Sequence, residues 1–180
     1  MQFSVVILSA LLCGFTARTS VPVPDTCGNN SDAVPLYITT GGIVNDCVLT
    51  TSNAAVTSLV GAQSFAFGGV SARVFPTQEL STMPMFLAYE VQNGDITDHL
   101  YTISVTEFDD AIAVGFRDGG IQGYIYPTQI CGSVPYYRLY KPALTEHFYT
   151  VSETQQQSMV AAGWTDQGIM GYVLSPNCTD

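Results

Sequence analysis

The stretch Asp98-His99-Leu100-Tyr101-Thr102, continued by Gly115-Phe116-Arg117-Asp118-Gly119-Gly120-Ile121-Gln122-Gly123-Tyr124, decides the fold, because the chain carries it again 48 residues later. The second copy reads Glu146-His147-Phe148-Tyr149-Thr150, then Gly163-Trp164-Thr165-Asp166-Gln167-Gly168-Ile169-Met170-Gly171-Tyr172. Across residues 98–124 and 146–172, twelve of 27 aligned positions are identical. Internal repetition therefore sets the architecture before local propensity is weighed.

Working outward, the opening Val34-Pro35-Leu36-Tyr37-Ile38 recurs as Met83-Pro84-Met85-Phe86-Leu87 and as Val134-Pro135-Tyr136-Tyr137-Arg138. Three copies of roughly fifty residues follow, the period of closed or stacked arrays. Each begins with a short strand entered through Pro, which a strand tolerates at its start. A turn comes next: Thr40-Gly41-Gly42, then Asn93-Gly94, a strong hairpin signal, then Lys141-Pro142-Ala143. A second strand carries Val48-Leu49-Thr50, His99 to Thr102, or His147 to Thr150.

A short helix is expected after it. Ser104 with Glu107, and Ser152 with Gln155, have the spacing of a capping box. Val56, Leu59 and Val60 give the apolar face of the first helix, Phe108 and Ile112 that of the second. Gly61, Gly115 and Gly163 read as the helix stops. Gly68-Gly69, Gly119-Gly120 and Gln167-Gly168 read as a bend inside a closing strand or strand pair. The expected class is α+β and β-rich: three tandem repeats, each β-β-α-β, closing with pseudo-threefold symmetry, since one such unit cannot bury its own apolar face. The boundaries read as 34–82, 83–133 and 134–178, one domain over 34–178, behind a lead-in loop at 21–33.

Residues 1–20 read as a secretion signal. The run Val5 to Leu12 is apolar and too short to cross a bilayer. An extracellular location follows, with no membrane span in the mature chain. Cys27, Cys47, Cys131 and Cys178 are then disulfide candidates. Cys27 with Cys178 would tie the ends of the fold, Cys131 with Cys178 is the alternative, and Cys47 is internal. Asn29 and Asn177 begin glycosylation sequons. Fifteen acids against five bases leave a charge of −10, which repels phosphate backbones and excludes nucleic acid as a partner.

The run Tyr137-Arg138-Leu139-Tyr140, then Glu146-His147-Phe148-Tyr149-Thr150, then Gly163-Trp164 to Tyr172 resembles DUF5648, a secreted repeat of unknown function found in fungal secreted proteins and appended to some bacterial extracellular enzymes. The resemblance covers residues 34–176. The third copy matches closely and the second from Asp98 on. The first departs, with Cys47, Leu49 and Arg73 where the others hold His, Tyr and Tyr. The family carries no activity to transfer, but its attachment to extracellular enzymes implies an accessory role on surfaces or glycans.

Candidate chemistry is sparse. The acid–His pairs Asp98-His99 and Glu146-His147 are the sharpest polar features, and adjacent strand residues point to opposite faces. The ordinary expectation is that each His bonds a backbone carbonyl while the acid ties a turn or caps the following helix. Asp118 and Asp166 read as Asx-turn residues before the glycine bend. No Gly-x-Ser-x-Gly elbow occurs, so no catalytic residue is assigned. Cys47, His99 and His147 lack the usual ligand spacing, so no metal and no cofactor are assigned. The ligand-binding candidates are Asp98, His99, Tyr101, Glu146, His147, Tyr149, Tyr137 and Trp164, because tyrosine or tryptophan beside an acid or imidazole suits sugar stacking and hydrogen bonding. The expected function is a secreted, non-catalytic domain that binds carbohydrate or a cell-surface ligand. The alternatives are a secreted hydrolase of polysaccharide or ester bonds, or a structural or effector protein.

Overall fold

The computed structural model describes residues 26–42, 46–93 and 95–177. The expected secretion signal and Cys178 lie outside the described residues, as does Gly94 of the expected hairpin turn. The first group of elements comprises β1 (Val34–Gly41), β2 (Asp46–Thr50), α1 (Asn53–Ala62) and β3 (Phe65–Val74). The second comprises β4 (Met83–Gln92), β5 (Asp95–Thr102), α2 (Val105–Ala113) and β6 (Arg117–Ile125). The third comprises β7 (Val134–Lys141), β8 (Glu146–Thr150), α3 (Glu153–Ala161) and β9 (Thr165–Val173). The protein is thus β-rich, with three antiparallel three-stranded sheets and three α-helices among the described residues, consistent with three repeated units. In each sheet the first strand of the group is central: β2-β1-β3, β5-β4-β6 and β8-β7-β9.

The closing element of each unit is one long strand, where the sequence left open a strand or a strand pair. Its glycine bend is a bulge, a register shift against the central strand between Ile38 and Thr39, Phe86 and Ala88, and Tyr137 and Leu139. Gly69, Gly120 and Gly168 take the left-handed conformation there. The Asp118 carboxylate accepts from the Gly120 N–H at 2.7 Å, and Asp166 from Gly168 at 2.9 Å, the Asx geometry expected of them.

The helices start as their serines predict, but by a different reciprocal bond. Ser52, Ser104 and Ser152 each accept from the N–H three residues on at 3.2 Å. The N–H of each capping serine is satisfied by Thr50, Thr102 or Thr150, two residues earlier, at 3.0–3.1 Å. This frees Glu107 and Gln155 from the expected capping box. It also explains the threonine that ends every second strand: its hydroxyl takes the part that the box would assign to the acid. Gly115 and Gly163 end α2 and α3 with positive φ, and the next residue bonds back to Ala111 or Met159. In the first unit Gly61 lies inside α1, and Ser64 takes the left-handed position after it. The helices are peripheral. Of their residues only Ala111 is fully buried.

The main core draws on all three sheets: Leu36, Leu49, Val74, Met85, Tyr101, Ile125, Tyr136, Tyr149 and Val173 among others. Below it, Phe75, Tyr126 and Leu174 form a second cluster with Ala33. Beside these residues, paired backbone bridges join the sheets. Phe75 pairs with Tyr124, Tyr126 with Tyr172, and Leu174 with Arg73, each through two N–H···O bonds of 2.9–3.1 Å. Gly171 sits where the preceding unit's Ile125 Cδ1 would lie 2.6 Å from an added Cβ, and Gly123 stands likewise against Val74, which explains the glycine before Tyr124 and Tyr172.

Cys27 and Cys131 form a disulfide, so neither expected pairing with Cys178 is present; the bridge ties the lead-in segment to the connection between the second and third units. The lead-in segment docks beside Phe75 and Tyr126, where the Gly28 N–H donates to Tyr126 Oη at 3.0 Å, and this brings Cys27 to the same end of the fold as Cys131. Cys47 is a buried free thiol.

Candidate functional site

The three second strands begin with an acid followed by Cys or His: Asp46-Cys47, Asp98-His99 and Glu146-His147. Strand alternation separates each acid from its own His, and the structure pairs it with the His of the following unit. Asp46 Oδ2 lies 2.6 Å from His99 Nδ1, and Asp98 Oδ2 lies 2.7 Å from His147 Nδ1. A carboxylate can only accept, so Nδ1 carries the hydrogen in both rings. The Asp98 carboxylate also accepts from the His147 backbone N–H at 2.9 Å. Asp46 and Asp98 are 1% exposed, and both imidazoles are buried. The expectation that each His bonds a backbone carbonyl is corrected: the partner is a carboxylate, because the strand ends converge.

The tyrosines of the motif repeat the same offset. Tyr101 Oη accepts from the Leu49 N–H at 2.9 Å and donates to the Leu49 carbonyl at 2.8 Å. Tyr149 Oη accepts from the Tyr101 N–H at 2.7 Å. Each tyrosine therefore bonds the backbone of the preceding unit, two residues along the strand from the His. Burial pushes both phenols well up, only partly offset by these bonds for Tyr101, and by Arg138 and the Tyr101 backbone for Tyr149. The His rings are packed on faces of tyrosine: His99 stacks between Tyr89 and Tyr101, and His147 lies 4.6 Å from Tyr140.

The third pairing is missing. Glu146 holds the acid position of the last unit, and the matching partner position in the first unit is Cys47. Burial first, then the charges of Asp46 and Asp98, push the Glu146 carboxyl up to about 7. Burial, with Asp46 and Glu146, pushes the Cys47 thiol well up despite a hydrogen bond with the Tyr149 backbone. Cys47 is thus a neutral thiol, which makes it a poor nucleophile and a poor ligand. Among the described residues no three His, Cys, Asp or Glu side chains are placed to hold a metal.

Of the eight residues picked from sequence, Asp98, His99, Tyr101, Glu146, His147 and Tyr149 are brought together in the interior. Tyr137 and Trp164 are half-buried and lie apart from them. Trp164 meets the edge of Phe148 with ring centres 6.0 Å apart, and Lys141 Nζ sits 5.9 Å from its ring centre.

Sequence reasoning passed over two participants. Asp46 belongs to the network although its copy lacks His and Tyr; the signal was the acid retained at all three positions. Arg138 spans from β7 to α2 of the preceding unit. Its guanidinium grips Glu107 with two bonds, 2.6 and 2.9 Å, and reaches the Tyr101 carbonyl at 3.4 Å. Burial opposes both charges, but the pair wins, holding Glu107 below and Arg138 above their ordinary values.

A family model described as a domain of unknown function, DUF5648, matches residues 42–174. No curated protein and no solved structure matches the chain. With most of its length matched, including all three acid positions, the chain belongs to the DUF5648 family.

Proposed function

We propose that this is a secreted, non-catalytic binding protein for carbohydrate or a cell-surface ligand, built from three units that close around a pseudo-threefold axis. The observation that carries the non-catalytic part is the offset pairing. Asp46 and Asp98 are buried against the imidazoles of the next unit and the Tyr101 and Tyr149 phenols against the backbone of the preceding one, so they serve as the clasp between units. A catalytic acid or base must come within hydrogen-bond reach of its substrate, and these groups face protein. The cyclic order of the backbone bridges supports the closure. The Cys27–Cys131 disulfide suits an oxidising compartment, and Asn29 and Asn177 are exposed, as a glycosylation acceptor needs. Among the described residues no helix is long and apolar enough to cross a membrane. Trp164 and Tyr137 are half-buried and keep part of their ring surface open.

The test is an oligosaccharide array probed with the purified mature chain, alongside hydrolysis assays on the polysaccharides it retains. Retention without turnover is expected. Hydrolysis that disappears in Glu146→Gln would replace this reading with the enzyme one, since the Glu146 carboxyl is pushed up to about 7.

A further inference from the structure

The three seams between units are filled differently. The register of the central strands makes Ile38, Leu87 and Arg138 equivalent, since Tyr37, Phe86 and Tyr137 all pair with the strand-ending threonine. The serine caps make Ala55, Glu107 and Gln155 equivalent. Between the second and third units the space is occupied by the Arg138–Glu107 pair. Between the third and first units the same two positions hold Ile38 and Gln155. Neither can form that pair, and a cleft of about 390 Å³ is present there.

We propose that this cleft is a binding site for a neutral saccharide. Its size is at the small end of ligand pockets, roughly 300–1,000 Å³. Its lining sets the ligand class. The hydroxyls of Thr40, Ser71 and Ser152 and the amide of Gln155 supply hydrogen bonds, and Phe148 and Ile38 supply apolar surface. Among the described residues no charged side chain lines it, so neither an anion nor a cation gains a partner there, and the chain's charge of −10 disfavours anions further. A polyhydroxylated ligand with apolar C–H faces matches both halves of this lining. The sister seam shows what the space can satisfy: the Arg138 guanidinium donates to the Tyr101 carbonyl and to the carboxylate at the Gln155 position. Sugar hydroxyls would take the corresponding bonds at Gln155 and Tyr149. Gln155 is already oriented, its Oε1 accepting from Thr150 Oγ1 at 2.7 Å, and Phe148 is held from behind by Trp164.

This assignment rests on the carbohydrate-binding reading and narrows it to one place. The probe is an array of neutral gluco-, manno- and N-acetylglucosamine oligomers. The proteins are the full chain, a double variant Ile38→Arg with Gln155→Glu, and Val70→Trp at the exposed rim of the cleft. The double variant rebuilds the sister seam's ion pair inside the cleft, and thermal unfolding reports whether each variant folds. The wild type is expected to retain a neutral oligomer, and either folded variant to lose about tenfold or more in affinity. Titration of the wild type with that oligomer should shift the Gln155 side-chain amide and Phe148 ring resonances. A folded variant that binds like wild type, or unmoved Gln155 and Phe148 resonances under saturating oligomer, overturns the cleft assignment and leaves carbohydrate binding standing. Failure of the wild type to retain any neutral oligomer overturns the cleft assignment, and failure on the wider oligosaccharide array as well overturns the carbohydrate reading with it.

Discussion

Glu146 is the residue on which the electrostatics of the interior turn. Asp46 and Asp98 each have an imidazole; Glu146 has a thiol position opposite it and two carboxylates nearby. Its pKa in the folded chain, about 7, lies above the ordinary 4.5. The folded state therefore holds this proton more tightly than the unfolded chain does. The stabilisation is fully present below 4.5 and is lost as pH rises through 7. A tenfold difference in proton affinity is worth about 1.36 kcal/mol, so the loss has a ceiling of roughly 3 kcal/mol. Glu146→Gln should flatten this dependence. Its melting temperature relative to wild type rises between pH 5 and pH 8, and parallel curves for the two proteins would contradict the assignment. Asp98→Ala should be the more damaging change. It removes the partner of both the His147 ring and the His147 N–H, and breaking a buried pair in this way costs about 3–5 kcal/mol. Denaturant unfolding measures it; a cost within about 0.5 kcal/mol would mean that Asp98 holds nothing.

At the scale of the element, the threonine before each helix is the test piece. Thr102→Val keeps the shape and removes the acceptor for the Ser104 N–H. It should cost about 1 kcal/mol, the usual size for a lost cap, and amide exchange in the first turn of α2 should quicken. The elements themselves were legible in the sequence: the serine caps, Gly115 and Gly163 as stops, and the Pro-led central strands. Two local features were not. The glycine bend left open a strand pair because a left-handed glycine serves a turn and a bulge equally, and only the pairing of β3, β6 and β9 with one central strand separates the two. Gly61 read as a stop by analogy with Gly115 and Gly163, but it lacks their positive φ, and Ser64 ends that segment instead.

At the scale of the molecule, what ties the units together was hidden because it joins residues about fifty apart. Adjacent acid and His invite reading as one site. Strand alternation forbids that, and the convergence of β2, β5 and β8 gives Asp46 and Asp98 the next unit's His. The degenerate first copy looked the least informative, yet its losses are functional in the architecture. Cys47 leaves Glu146 without an imidazole, and Ile38 leaves the last seam without an arginine. The disulfide partner of Cys27 was likewise not readable, since only the fold brings Cys131 to the docked lead-in segment. That bridge closes a separation of 104 residues and on chain-entropy grounds contributes about 4–5 kcal/mol. Cys27→Ala with Cys131→Ala should lower the unfolding free energy on that scale, and an unchanged denaturation midpoint would show that the segment is held by other contacts.

The most direct test of the offset pairing is a pair of double-mutant cycles sharing one residue. Asp98→Asn is combined with His147→Gln in one cycle and with His99→Gln in the other, and stability is followed by denaturant unfolding through the single tryptophan, Trp164. The account predicts a coupling of about 1–3 kcal/mol between Asp98 and His147, which are 49 residues apart in sequence, and a much smaller one between Asp98 and the adjacent His99. Strong coupling to His99 with additive behaviour toward His147 would contradict it.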